Sequence, residues 1–356
     1  MVQSEKSCCG NAAREPAAAC CCSGTSGPIP APAIRTTNSV ITGKDRWDHF
    51  LARWGVNRMG RIVLPGLHRI GNPTNDSPVF ASANYTLSFD ALRSALAGID
   101  AWILVLDTKG INVWCAAGKG TFGTDELVRR IQVTGLFKVV SHRRIILPLL
   151  GAPGVSAHEV TRRSGFSVEY GPVRARDLPA YLTTYTATTE MRTVRFPLAD
   201  RLVLCPMELV HALLPMIAVA VVLYFLAGPV AGLSAVAAVL AGTVLFPALL
   251  PVIPTHDFST KGFLLGAIVA IPFAAAFARA PGLSGISQII AVLVPFLIIP
   301  AVVAYLALNF TGSTTFTSRT GVKKEIFRYV PAMALTASAG TILGIVLGIL
   351  RLMGMA

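Results

Sequence analysis

Two textures of hydrophobic patterning divide the chain. Between residues 78 and 173, short apolar runs of strand length alternate with segments whose apolar positions recur at helical spacing. Beyond residue 207 the apolar runs lengthen to the ~20 residues that cross ~30 Å of hydrocarbon, and no polar face interrupts them. In the first half, "PVFASANYTL" (78–87) reads as a strand, and Ser88 is placed to N-cap a helix over "FDALRSALAG". "AWILVLD" (101–107) is a continuous apolar run, as expected of a strand buried on both faces. Thr124 is placed to cap "DELVRRIQVTG", and "KVVSHRRIILP" and "FSVEYGPV" supply further strands. Strands alternating with helices predict an α/β fold with a parallel, Rossmann-like sheet. Ligands of such sheets bind outside the carboxyl ends of the strands, where residues 108–123 fall.

The second half predicts an α-helical transmembrane bundle of five helices, near 207–227, 230–253, 262–278, 286–308 and 329–350. Pro247, Pro251, Pro272, Pro295 and Pro300 interrupt these runs, which neighbouring helices accommodate inside a bundle. The resulting organisation is a Cys-containing tail over 1–45, an α/β domain over 46–204 that starts folding around Trp47, and a transmembrane domain over 205–356. The loops after the second and fourth spans hold Lys261, Arg319, Lys323, Lys324 and Arg328, against only Arg279 and Arg351 on the opposite side. That asymmetry predicts a multi-pass protein of the cytoplasmic membrane with its N-terminal domain in the cytoplasm.

Composition sharpens this division. Hydrophobic residues make up 53% of the chain and charged residues 14%, with a mean hydropathy of +0.61, too apolar for an ordinary soluble enzyme. Residues 1–205 hold 24 of the 31 Lys and Arg, and 15 of the 18 Asp and Glu. The net charge of +13 has no aromatic interleaving, and it points to anionic membrane lipid and an acidic partner instead of nucleic acid. Seven cysteines, at 8, 9, 20, 21, 22, 115 and 205, do not have the spacing of a disulfide framework. The first five lie in a tail rich in Ala, Ser, Gly and Pro that reads as disordered, either with incidental thiols or as a capture arm for soft metal ions.

One stretch, "NVWCAAGKGTFG" (112–123), carries two competing signals. From Gly118 it matches the glycine spacing of a dinucleotide loop, yet ten residues separate Asp107 from Gly118, where a true fingerprint follows its strand almost directly. A Walker A loop fails as well, with Val113 where glycine is needed and Gly120 where Ser or Thr is needed. On this signal the chain would be a membrane transporter or sensor with a cytoplasmic nucleotide-binding regulatory domain. No ionisable side chain lies centrally in any span, which argues against a transport pathway.

The second signal is a resemblance. "DTKGINVWCAAGKGTFGTDEL" (107–127) closely resembles the cap-helix motif of the membrane-anchored corrinoid proteins of microbial mercury methylation, whose corrinoid domain is related to the corrinoid iron–sulfur protein large subunit. "NPTNDSPVFASANYTLSFDALR", "LGAPGVSAHEV", "SGFSVEYGPVRARDL", "CPMELVHALLP" and "NFTGSTTFTS" are similar to that family too. The resemblance implies a corrinoid-dependent methyltransferase with a cobalamin-type corrinoid, Cys115 as lower axial ligand to its cobalt, and Hg(II) as methyl acceptor. It also implies a methylated folate as one-carbon donor and a ferredoxin-like iron–sulfur protein as electron donor. A thiolate is a soft, electron-rich ligand suited to that role.

Around Cys115, Asn112 is placed to cap a short helix through its side-chain oxygen, and Trp114 to shield the cofactor edge. Ala116, Ala117, Gly118 and Gly120 lack bulk, so a flat macrocycle can approach the run from Asn112 to Gly120, Val113 and Lys119 included. By position on neighbouring strand ends, Ser82, Thr86, Ser88 and the loop Gly171 to Ala175 are candidates to hold the corrinoid's tail or side chains.

Overall fold

The computed structural model describes residues 34–354, apart from Ser284, Thr315 and the side chains of Met59 and Arg319. The cysteines at 8, 9, 20, 21 and 22 lie outside the described residues. Ordered elements begin with β1 (Arg35–Thr37) and α1 (Gly43–Arg53), earlier than Trp47 and inside the segment expected to be a tail. Strand β1 is too short and too polar to register in a hydrophobic pattern. It is held by its parallel pairing with β2 (Gly66–Ile70) and by Arg69 Nε, which donates to Thr36 Oγ1 at 2.9 Å.

From there the chain runs through β3 (Val79–Ala83), α2 (Thr86–Ala95), β4 (Ala101–Leu106), α3 (Val113–Lys119), α4 (Thr124–Val133) and the single turn α5 (Leu136–Val139). It continues through β5 (Arg144–Leu147), α6 (Ala157–Ser164), β6 (Ser167–Tyr170), α7 (Leu178–Thr184), the single turn α8 (Thr189–Arg192) and α9 (Leu198–Leu202). The six strands lie in the order β1-β2-β4-β3-β5-β6. Every residue of β3 and β4 is buried, as the uninterrupted apolar runs demand, because helices cover both faces.

The expectation of a fully parallel sheet is corrected at β2, which runs antiparallel to β4 with Leu67 opposite Leu104. Only residues 71–78 link β2 to β3, and a parallel crossover needs a dozen residues or more. Two caps are corrected as well. Helix α2 starts at Thr86, with the Ser88 and Phe89 N–H groups donating to Tyr85 O, so Ser88 lies inside it. Helix α4 starts at Thr124, but the Thr124 hydroxyl accepts from Ser156 N at 2.9 Å and does not cap its own helix.

The second half folds as five helices long and apolar enough to cross a membrane, Leu198–Ala227, Pro229–Leu249, Phe258–Ala278, Gly285–Ser313 and Thr320–Leu352. They comprise α9 with α10 (Cys205–Ala227), α11 (Pro229–Leu240) joined by a π-turn to α12 (Phe246–Leu249), then α13 (Phe258–Ala278), α14 (Gly285–Phe310) and α15 (Arg319–Leu352). Helices α13 and α14 pack at the bundle's centre through small residues: a β-carbon at Gly266 would lie 2.5 Å from Pro300 Cα, and one at Gly262 2.5 Å from Ala304 Cα. Pro272, Pro295 and Pro300 sit inside these helices, whereas Pro251 follows the end of the second span.

The expected boundary at 204/205 does not coincide with the packing boundary. Phe196 and Leu204 already pack into the bundle core beside Phe246 and Phe310. Arg201 is buried, and its Nη1 donates to Pro247 O at 2.7 Å and Ala248 O at 2.6 Å. The carbonyl of Pro247 would normally be bonded by the N–H four residues on, but that residue is Pro251 and has none. Arg201 fills the vacancy.

Candidate functional site

In the parallel part of the sheet, β3 hands over leftward to β4 and β5 rightward to β6, while β3 and β5 are neighbours. Between two such strands the connections leave a crevice at the carboxyl ends, where open α/β sheets bind ligands. A cavity of about 290 Å³ occupies that place, near the lower end of the ~300–1,000 Å³ range of ligand pockets. Its floor is Phe80, Ala81 and Ser82 of β3 with Ile146 and Leu147 of β5. Ser88, Ala91 and Leu92 of α2 form one wall, and the loop Gly171 to Val173 with Ala175 forms another. Asn112, Val113 and Trp114 close it at the start of α3. The lining is mainly apolar, with the hydroxyls of Ser82 and Ser88 and the Asn112 amide as polar exceptions.

Helix α3 forms as the sequence predicts. Asn112 is its N-cap, its Oδ1 accepting from Cys115 N at 2.8 Å, and Gly120 ends it in the left-handed region at φ 82°. Glycines 118 and 120 therefore lie at the end of a helix and do not open one directly after a strand, which removes the geometric basis of dinucleotide binding. Cys115 is half-buried.

The structure thus brings together Ser82, Ser88, Asn112, Val113, Trp114 and Ala175 around one cavity. Thr86 does not line it; its hydroxyl donates to Arg61 O at 2.9 Å. Ala116 and Ala117 are buried with the domain core, so their small size serves packing of the protein on itself. A β-carbon at Gly154 would lie 2.9 Å from Ala117 Cα and closer still to Phe122 O. Gly118, Lys119 and Gly120 are exposed, and β-carbons at the two glycines would meet nothing within 4 Å. Of the four small residues, Ala116 and Ala117 thus face the core, whereas Gly118 and Gly120 present open surface.

Sequence reasoning missed the residue that fixes the loop leading to α3. Asn84, buried just after β3, accepts at Oδ1 from Thr108 N (3.0 Å), Thr108 Oγ1 (2.8 Å) and Gly110 N (3.0 Å), and donates through Nδ2 to Asp107 Oδ1 (3.2 Å). From the other side Glu126 accepts from Asp107 N at 2.8 Å and pairs with Arg130. Its only signal in the sequence was an amide placed at a strand end, where the chain must turn. At the end of β6 Tyr170 donates to Val155 O at 2.6 Å, and burial pushes its phenol above the ordinary value.

Residues 58–182 match the family model described as CO dehydrogenase/acetyl-CoA synthase delta subunit. The same region is similar to acetyl-CoA decarbonylase/synthase complex subunit gamma proteins. Identity is 34% over 122 residues with that of Methanopyrus kandleri, covering 34% of this chain and 26% of the relative. It is 37% over 97 residues with that of Methanocaldococcus jannaschii, covering 27% and 20%. Residues 58–182 are a domain related to these subunits. The chain spans about a quarter of the length of the curated relatives it matches, and α1 and the five apolar helices lie outside the matched stretch.

Proposed function

We propose that the α/β domain binds a cobalamin-type corrinoid and serves corrinoid-dependent methyl transfer, with Cys115 as lower axial cobalt ligand and Hg(II) as methyl acceptor. The observation that carries this reading is the cavity at the β3/β5 switch point, closed by the first residues of the helix that bears Cys115, in a domain related to acetyl-CoA decarbonylase/synthase subunits. The residues fit such a group. Ala81, Ala91 and Ala175 keep the lining short, and the apolar walls would suit the edge or tail of a large macrocycle. A corrinoid would bring its own donors to the cobalt, so a single protein sulfur such as that of Cys115 suits it.

When bound, the corrinoid supplies a cobalt centre that takes up and gives away a methyl group. The chain's own part would be to hold a soft sulfur donor ready for the cobalt, since Asn112 pins the Cys115 amide and Asn84 pins the loop before it. Val113 and Trp114 exclude water from the cavity mouth, and the Ser82 and Ser88 hydroxyls offer polar contacts to the tail. Methyl supply from a methylated folate and reduction by a ferredoxin-like iron–sulfur protein complete the proposal. The basic loops at 261 and 319–328 support a place in the cytoplasmic membrane with this domain on the cytoplasmic side.

The test is the absorption spectrum and Hg(II) methylation of purified protein. A corrinoid band is expected in the wild type. Cys115→Ala is expected to fold, change that band and lose methylation below detection; near-normal methylation, or a band unchanged by the substitution, would overturn the ligand role. Cys115→His offers an imidazole of lower donor strength, so retained corrinoid with strongly reduced activity is expected.

A further inference from the structure

Helix α1 is amphipathic the wrong way round for a protein surrounded by water. Its polar side faces the protein. His49 Nε2 lies 2.7 Å from Asp90 Oδ2, Arg93 Nη2 donates to Asp45 at 3.1 Å, and Asp48 pairs with Arg61. Arg93 also donates to Val40 O and Asn38 O, clasping the segment before the helix onto α2. The opposite side presents Trp47, Phe50 and Trp54, one helical stripe, at 61%, 47% and 36% exposure. The first two rings stack with centroids 5.3 Å apart, and Val56 extends the stripe. Lys44 on one flank and Arg46 and Arg53 on the other are exposed, and among the described residues none of them joins an ion pair; both aspartates of the helix are consumed by pairs on the inner side.

The end of this helix abuts the first span. A β-carbon at Gly55 would lie 3.4 Å from Met207 Sδ and 3.9 Å from Val210 Cγ1, in the first two turns of α10. That contact sets the end of the aromatic stripe beside the first long apolar helix. Trp rings with basic flanks are the chemistry of a membrane–water interface.

We infer that α1 is an interfacial helix, lying in the headgroup region with Trp47, Phe50 and Trp54 in the acyl boundary and Lys44, Arg46 and Arg53 on anionic headgroups. The helix lies outside the matched stretch, which begins at residue 58. It does more than add affinity. Residues following it reach the first turn of α2, where Arg61 O accepts from both Thr86 N and Thr86 Oγ1, next to the cavity wall formed by Ser88. The helix therefore sets the tilt of the cavity relative to the membrane plane. The inference rests on the five apolar helices spanning a bilayer and is independent of the corrinoid.

The test is tryptophan quenching in the full chain reconstituted into vesicles of phosphatidylcholine and phosphatidylglycerol, with bromines on the acyl chains either near the headgroup or at mid-bilayer. Two of the four tryptophans lie on the stripe, so bromines near the headgroup should remove about half the emission and mid-bilayer bromines clearly less. Trp47→Phe with Trp54→Phe, both exposed and apolar-conserving, should abolish that difference. Equal weak quenching by both lipids, or a difference that survives the double substitution, would overturn the inference and leave the stripe to a soluble partner or a second copy. Failure to co-float with vesicles would instead overturn the spans themselves, whatever the spectrum of a bound corrinoid.

Discussion

Among single residues, Asn84 and the small residues around α3 make the sharpest claims. Asn84→Ala strips the acceptor from two buried N–H groups at once, and each unsatisfied group costs about 1–3 kcal/mol. A loss of about 2–4 kcal/mol in chemical denaturation of the domain is expected, with lower corrinoid loading at temperatures where the fold survives; an unchanged midpoint would show that the loop is held by Glu126 alone. Gly154→Ala and Gly118→Ala should move in opposite directions. The first forces a methyl against Phe122 O and Ala117 Cα and should displace α3, while the second adds a methyl in open space on a helix and should stabilise by up to about 1 kcal/mol. Thermal melts of the two variants check this, and equal effects would contradict the packing described for α3. His68, buried on β2, has its proton affinity depressed chiefly by desolvation and further by Arg35 across the strand pair. A depressed folded-state value means that the unfolded chain takes up the extra proton first. Stability is therefore full above the ordinary value of 6.5 and falls as pH drops below it, until the folded-state value is reached. Melting curves from pH 7 to 5 should show this loss, and His68→Gln should remove it.

At the scale of elements, the second span ends where it does because Pro251 withholds an amide and Arg201, from the preceding segment, replaces it. Hydrogen bonds from a charged donor contribute about 1.5–3 kcal/mol, so Arg201→Met should lower the melting temperature in detergent while keeping the side chain's bulk. No change would mean that water or lipid already satisfies those carbonyls. Helix α13 is begun in a comparable way by a residue distant in sequence: Glu325 on α15 accepts from Phe258 N, Ser259 N and Ser259 Oγ. Beside it Asp257 accepts from Tyr329 at 2.7 Å, which holds that carboxyl below the ordinary range.

For the whole molecule, the division between domain and bundle falls before Phe196. A chain ending at Arg195 exposes only the stripe of α1, whereas one ending at Leu204 also carries Phe196 and Leu204 without their partners in the bundle and should associate more strongly by size exclusion. Both should retain corrinoid and methylate Hg(II) poorly, because helix α1 loses the span against which it sits. Full activity from either would reduce the bundle to a tether.

The sequence by itself determined the elements whose signal is local. The apolar runs at 101–107 and beyond 207 became a doubly buried strand and five long helices, since burial on all sides needs no partner of a particular kind. Asn112 announced the cap of α3 because an N-cap acts on amides two or three residues away. The tertiary structure alone decided what depends on pairing at a distance. The reversed direction of β2 follows from a connection too short to cross over. Which of the small residues from Ala116 to Gly120 face solvent, and which are pressed against Gly154, depends on a loop more than thirty residues onward. The inward polar face of α1 exists only because Asp90 and Arg93, some forty residues on, come back to meet it, and a pattern read along one strand of text carries no term for that encounter.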